Sequence, residues 1–300
     1  MKQYLIETNN GCINVLEGVE IKDDNNFKAI ILNVHGLGSH FQFTYDTLDE
    51  IENRDKFFSK FNIKTFGFEF IGHGLSDGER CCIKNINHLI DDLNNVINHI
   101  AYKYRNKQIF ICAESMGAAI TLKYIHSKMN YYYIGGIILL SPLCGIDDSM
   151  KPNFFLLNIF YTLSYFFPTA KLNITKKIEN TTITINEYMD AVDKCPYKYK
   201  DTHKICTLTE MYNICLWLND NINAKTIDKP VLLCHGLHDT ITNVNDSIKI
   251  FKRLDNKLNE LVLLDTAEHS LLIPNNYDDV IPNYIYIKIY SFIMNVITSK

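Results

Sequence analysis

Three hundred residues suit either two domains or one large α/β domain that carries an insertion. Thirty Lys+Arg against 34 Asp+Glu leave a formal net charge of −4, which excludes the basic face a general nucleic-acid binder needs to neutralise phosphates. With 47% hydrophobic and 21% charged residues, the chain can fill a core and lacks the composition of a disordered protein.

The chain opens with two strand-like runs, 4–7 and 13–19, joined through Asn9-Asn10-Gly11, a pattern that reads as a hairpin. Nothing in the first residues resembles the apolar stretch of a secretory signal. Next come an apolar run of buried-strand length at 29–34, a helix over 46–60 and a strand at 63–70. Helical period returns over 86–104, where Ile86, Leu89, Ile90, Leu93, Val96, Ile97 and Ile100 form one apolar stripe. A strand at 108–112, a helix over 116–128 and a strand at 134–140 complete the first half.

Alternation of strand and helix predicts an α/β fold with a mostly parallel sheet and helices on both faces. The alternation lapses over 145–228 and resumes at 230–234, followed by a helix near 244–254, a strand at 260–264 and a helix over 281–297. The parse is therefore a core made of 1–144 and 229–300, with a helical cap or lid, 145–228, inserted in it. Within the insertion, residues 152–170 carry no charge but contain two Asn and end in Pro168-Thr169-Ala170. That makes them borderline in length and too polar for a membrane span. Nine scattered cysteines without a C-x-x-C pair read as small hydrophobes in a reducing compartment, so the expected location is cytoplasmic.

Chemistry is concentrated at strand ends. In Ile111-Cys112-Ala113-Glu114-Ser115-Met116-Gly117, an apolar strand meets a tight turn with small residues two before and two after a serine. Such a turn projects the hydroxyl above the sheet beside a helix N-terminus. Ser115 is the candidate nucleophile, with Ala113 where glycine is usual. A serine nucleophile needs a base and an acid that orients it, in the chain order Ser, Asp or Glu, His. Asp239 follows the strand at 230–234, and His269 follows the strand at 260–264. Functional loops of parallel sheets collect at that edge. Asp265 is a second candidate acid, but only four residues separate it from His269. A metal reading of His235-x-x-His238-Asp239 lacks a further ligand cluster. Finally, His35-Gly36-Leu37-Gly38 ends the strand at 29–34. The backbone N–H groups of Leu37 and of Met116 are the candidate oxyanion hole.

Together these residues resemble the α/β-hydrolase superfamily, and within it the monoacylglycerol lipase and lysophospholipase-like branch, also called serine aminopeptidase-like. The narrower likeness rests on Gly72-His73-Gly74-Leu75-Ser76-Asp77-Gly78-Glu79-Arg80, which is similar to that branch's G-H-G-x-S-[DE]-G-x-R, and on Glu114-Ser115-Met116-Gly117, Leu140-Ser141-Pro142-Leu143 and Glu268-His269. It spans about residues 25–295. Three departures stand out. Ser39-His40 replaces the family's Glu-His, Phe41-Gln42-Phe43-Thr44 replaces a stretch with Arg, and Gly117-Ala118 replaces Gly-Gly. They put recognition of a glycerol headgroup in doubt and leave Ser115, Asp239 and His269 untouched.

The resemblance implies a cofactor-free serine esterase acting on a lipid ester through an acyl-enzyme. A thioesterase, acyltransferase or peptidase on the same residues, and a non-catalytic lipid-binding homologue, are the alternatives. The aromatic run from Phe154 to Phe167, flanked by Lys151 and Lys171, has two readings. One is a helix buried on the core; the other is an amphipathic lid that lines an acyl tunnel and makes peripheral contact with membranes. No obligate protein partner is evident in the sequence.

Overall fold

The first strands, β1 (Lys2–Thr8) and β2 (Gly11–Glu17), run antiparallel with Lys2 opposite Glu17 and Thr8 opposite Gly11. The computed structural model describes residues 2–19, 21, 26–40, 54–171, 190, 194–276 and 278–299. Strand β2 pairs antiparallel with β4 (Ile63–Phe68). From there every pairing is parallel, through β3 (Ala29–Val34), β5 (Ile109–Glu114), β6 (Ile134–Leu140), β7 (Val231–Gly236) and β8 (Glu260–Leu264). The eight strands lie in the order β1-β2-β4-β3-β5-β6-β7-β8. This is the fold of an α/β-hydrolase.

Strands β3, β6 and β7 are buried along their whole length, which is why they read as apolar runs rather than alternating ones. Helices cover both faces. On one side, α1 (Arg54–Lys60) packs Phe57 and Phe58 against Ile285, Tyr286 and Ile289 of a helix near the C-terminus. On the other, α2 (Ile86–Lys103) buries Leu89, Leu93, Val96, Ile97 and Ile100 beside α3 (Met116–His126). The Asn85 side chain caps α2 by accepting from the N–H of Asn87 at 3.0 Å, which satisfies one of the four orphan donors of the first turn. Expected elements and observed ones agree within a few residues. The exception is the helix over 46–60, where α1 begins at Arg54 and residues 46–53 lie outside the described residues.

Among the described residues, two helices of opposite character stand between β6 and β7. Helix α4 (Phe154–Phe166) has no buried residue. Leu156, Leu157, Phe160 and Leu163 are half-buried along one face, while Phe154, Phe155, Tyr165 and Phe166 on the other are exposed. One face thus packs and the other is open. Helix α5 (Ile205–Asn221) instead places Met211, Ile214, Cys215 and Leu218 in the main core. Where the chain enters this segment, Gly145–Asp147 is bonded to the loop after β7. The N–H of Asp147 donates to Ile241 O at 3.1 Å and that of Asn243 to Gly145 O at 2.9 Å. Helices α6 (Val244–Phe251) and α7 (Ile281–Thr298) complete the two covering layers. No helix among the described residues is long and apolar enough to cross a membrane.

Candidate active site

Strand β5 delivers Ser115 into the first turn of α3 with φ 51° and ψ −117°, a backbone state that a non-glycine residue adopts only under constraint. The constraint comes from the next strand. Ser115 N–H donates to Leu140 O at 3.0 Å, and Leu143 N–H donates to Ser115 O at 3.1 Å. Space is equally tight behind the serine. A Cβ on Gly117 would stand 2.6 Å from the carbonyl oxygens of both Val34 and His35, so only glycine lets α3 lie this close to β3. Ala113 is fully buried, and its methyl group fits where the family's usual residue is glycine.

The loops after β7 and β8 bring Asp239 and His269 together. His269 Nδ1 lies 2.7 Å from Asp239 Oδ2. The same oxygen accepts from Thr242 Oγ1 at 2.7 Å and faces His235 Nε2 at 3.1 Å. Its partner Oδ1 accepts the backbone N–H groups of Ile241 and Thr242 at 2.8 and 2.9 Å. Burial pushes the Asp239 carboxyl upward, but the hydrogen bonds of His235 and His269 override it and hold the group well below the usual carboxylate range. Asp239 is thus an anion across the ordinary pH range. The two loops are also locked to each other: His238 N–H donates to Ala267 O at 3.1 Å, and a Cβ on Gly236 would stand 2.2 Å from that same oxygen. Asp265 is exposed.

Strand β6 links this pair to Ser115. Its carboxyl end supplies Leu140 O to Ser115, while the next carbonyl, Ser141 O, lies 3.3 Å from Thr242 Oγ1. The loop after β3 closes the other side. A Cβ on Gly36 would be 3.3 Å from Ser115 Cβ and 3.9 Å from its Oγ, so the loop that carries Leu37 lies directly against the serine. His35 pins that loop: its Nδ1 is 2.7 Å from Gly36 O, and its Nε2 accepts from the N–H of Phe70 at 3.1 Å. Burial lowers the His35 pKa, in keeping with a neutral ring whose Nε2 is the acceptor.

Sequence reasoning misses the part played by three contributors. Thr242 touches both Asp239 and Ser141 O. His235, weighed in the sequence only as a metal ligand, is fully buried against Asp239. Arg54 of α1, 2% exposed, bonds Glu114 at 2.5 Å and also reaches Asn33 Oδ1, so it braces the residue before Ser115 from the opposite sheet face. As for metals, His238 is exposed while His235 is buried. Among the described residues, no group of three or more His, Cys, Asp or Glu is arranged to hold a metal ion. The segment Phe41–Thr44, where the family's Arg is missing, lies outside the described residues.

A family model described as serine aminopeptidase, S33 (Hydrolase_4) matches residues 25–276. The chain belongs to that family. This S33 hydrolase is 24% identical over 252 residues to caffeoylshikimate esterase of Arabidopsis thaliana, covering 83% of this chain and 73% of the relative. It is 23% identical over 245 residues to monoglyceride lipase of Rattus norvegicus, covering 81% and 76%. Among solved structures, it superposes on a soluble variant of monoglyceride lipase from Saccharomyces cerevisiae in complex with a substrate analog. That match has a TM-score of 0.81 at 19% identity and covers 98% of this chain and 95% of the other. The family and these relatives support an ester hydrolase of the α/β-hydrolase type.

Proposed function

We propose that this hydrolase cleaves carboxylic esters of lipids, with monoacylglycerols or lysophospholipids as the substrate class, through Ser115, His269 and Asp239. The observation that carries the reading is the 2.7 Å contact between His269 Nδ1 and Asp239 Oδ2, made at the sheet edge where β5 presents Ser115. Asp239 keeps the proton of neutral His269 on Nδ1, leaving Nε2 as the base. As Nε2 takes the hydroxyl proton, Ser115 Oγ bonds to the ester carbonyl carbon. The N–H groups of Leu37 and Met116 stabilise the oxyanion, each at about 3 kcal/mol. When the C–O bond to the alcohol breaks, His269 returns its proton to the leaving oxygen. Water then gives a proton to His269 as its oxygen bonds to the acyl carbon, and His269 passes that proton to Ser115 Oγ as the acyl–Oγ bond breaks and the acid leaves.

The division into a core (1–144 and 229–300) and a cap (145–228) belongs to the same proposal, with α4 as the part of the cap that meets substrate. Phe154, Phe155 and Tyr165 are 83%, 76% and 82% exposed. Apolar surface of this extent is costly in water and favours a lipid interface. Nine unpaired thiols support a cytoplasmic location.

A fluorophosphonate probe tests the chemistry directly. The wild-type chain should be labelled and the Ser115→Ala chain should not. Full esterase activity in Ser115→Ala would end the assignment. A panel of monoacylglycerols, lysophospholipids, thioesters and short esters then sets the substrate class, and a preference for thioesters would overturn the lipid-ester reading.

A further inference from the structure

Burying an imidazole is expensive unless its nitrogens are bonded. His235 has no exposed surface, and its Nδ1 has no hydrogen-bond partner among the described residues. The other nitrogen, Nε2, faces Asp239 Oδ2 at 3.1 Å and Thr242 Oγ1 at 3.2 Å. An apolar residue of similar volume would fill the end of β7 without leaving Nδ1 orphaned. The ring's polar use is therefore at Nε2.

Tautomer and direction follow from the neighbours. A carboxylate oxygen can only accept, so the proton sits on His235 Nε2 and points at Oδ2. Thr242 has a single hydroxyl proton, and the shortest of its contacts is the 2.7 Å one to Oδ2. His235 Nε2–H is then shared between Oδ2 and the lone pairs of Thr242 Oγ1. Among the described residues, the titratable groups facing the carboxylate are His235 from β7 and His269 from the loop after β8. The remaining donors, Thr242 and two backbone N–H groups, are neutral.

We propose that His235 is a positioning residue for the reaction: its Nε2–H fixes Asp239 Oδ2 in the orientation that receives His269 Nδ1. The inference rests on the reading of Ser115, Asp239 and His269 given above. His235 touches neither substrate nor reacting atoms, and it acts through the acid alone. By sharing the charge of Oδ2 it also moderates the attraction that Asp239 exerts on His269. Losing the donor would therefore loosen the orientation while strengthening the remaining bond to His269.

The test compares His235→Asn with His235→Gln. The Gln amide reaches to where Nε2 stands, whereas the Asn amide reaches only to the level of Nδ1. Both put an amide in the same buried place, so a merely structural role would move both alike. Ester hydrolysis, the pH profile of kcat/KM, the rate of fluorophosphonate labelling and the melting temperature are measured on each full-length chain.

His235→Asn should lower kcat about tenfold, the scale of one hydrogen bond to a charged group, with KM within about twofold. Its acid limb in kcat/KM should move up by about half a pH unit. His235→Gln should lose less than about threefold in kcat and keep the wild-type limb. Equal kcat and identical pH limbs in the two variants would overturn the proposal. If the Asn chain does not fold, Gln against His235→Leu gives the same comparison. The two levels of failure separate cleanly. A wild-type chain that is not labelled at all defeats the reading of the site, whereas equal labelling of wild type and His235→Asn defeats only the role of His235.

Discussion

The loop around Asp239 and helix α4 are both reached by chain leaving β6 or β7, yet they are built by opposite means. Around Asp239, bonds from β7 and the loops after β7 and β8 converge on one buried carboxylate. In α4 no side chain is buried, and Phe154, Phe155, Tyr165 and Phe166 face outward. Under the proposed function, the difference separates two demands on a hydrolase. A group that orients a proton carrier must hold one geometry within a fraction of an ångström, which calls for many short directional bonds. A surface that meets varied acyl chains needs area without direction, which apolar side chains provide.

Substitutions can break the comparison at either end. The largest expected effect is at the acid. Asp239→Asn should reduce kcat about 10⁴-fold while leaving KM nearly unchanged, because the amide favours the wrong tautomer of His269. A loss of tenfold or less, measured with a short ester, would show that another group does the orienting. Thr242→Val removes one hydroxyl donor and should cost about tenfold in kcat; a change below twofold would mean that the carboxylate does not depend on it.

At the cap, Phe155→Asp together with Phe166→Asp should raise the KM for a vesicle-presented ester severalfold and abolish flotation with liposomes. The loss on a water-soluble short ester should be far smaller. Unchanged flotation would remove α4 from substrate capture.

The smallest effect lies away from both regions, at Asp92. Burial raises its carboxyl to about 6, even though it accepts the N–H of Ile71 at 2.9 Å. A raised carboxyl value in the folded state means stability that is intact below about pH 4 and is lost as pH rises through about 6. Asp92→Asn should therefore melt a few degrees higher than the parent at pH 8, with the gap closing at pH 4. A gap that persists at pH 4 would point to packing instead of ionisation.

What was legible in the sequence follows from locality. Residues 134–140 are bounded correctly because a buried strand must be apolar along its length and stops where turn residues begin. Ser115 stood out because strand, small residues and helix are contiguous in the chain. Thr242, His235 and Arg54 had no such advantage. The bond between Arg54 and Glu114 joins distant segments, which no spacing rule reports, whereas His235 and Thr242 lie within four residues of Asp239 and depend on how the loop after β7 turns them onto its carboxylate. Helix α4 was ambiguous for a related reason. An apolar helix reads the same whether the core or a lipid surface accepts it, and only the surrounding packing tells them apart.

The short pairing of Gly145–Asp147 with Ile241–Asn243 has a consequence for exchange of parts between proteins. The segment that carries α4 leaves the sheet at a point stitched to the acid's own loop, and the closure entropy of the excursion grows only slowly with its length. A chimera that takes its cap from another hydrolase should therefore be joined after Asp147. Cutting earlier would release Ile241 and Asn243, the neighbours of Thr242, and transfer a new cap at the expense of the loop that holds Asp239.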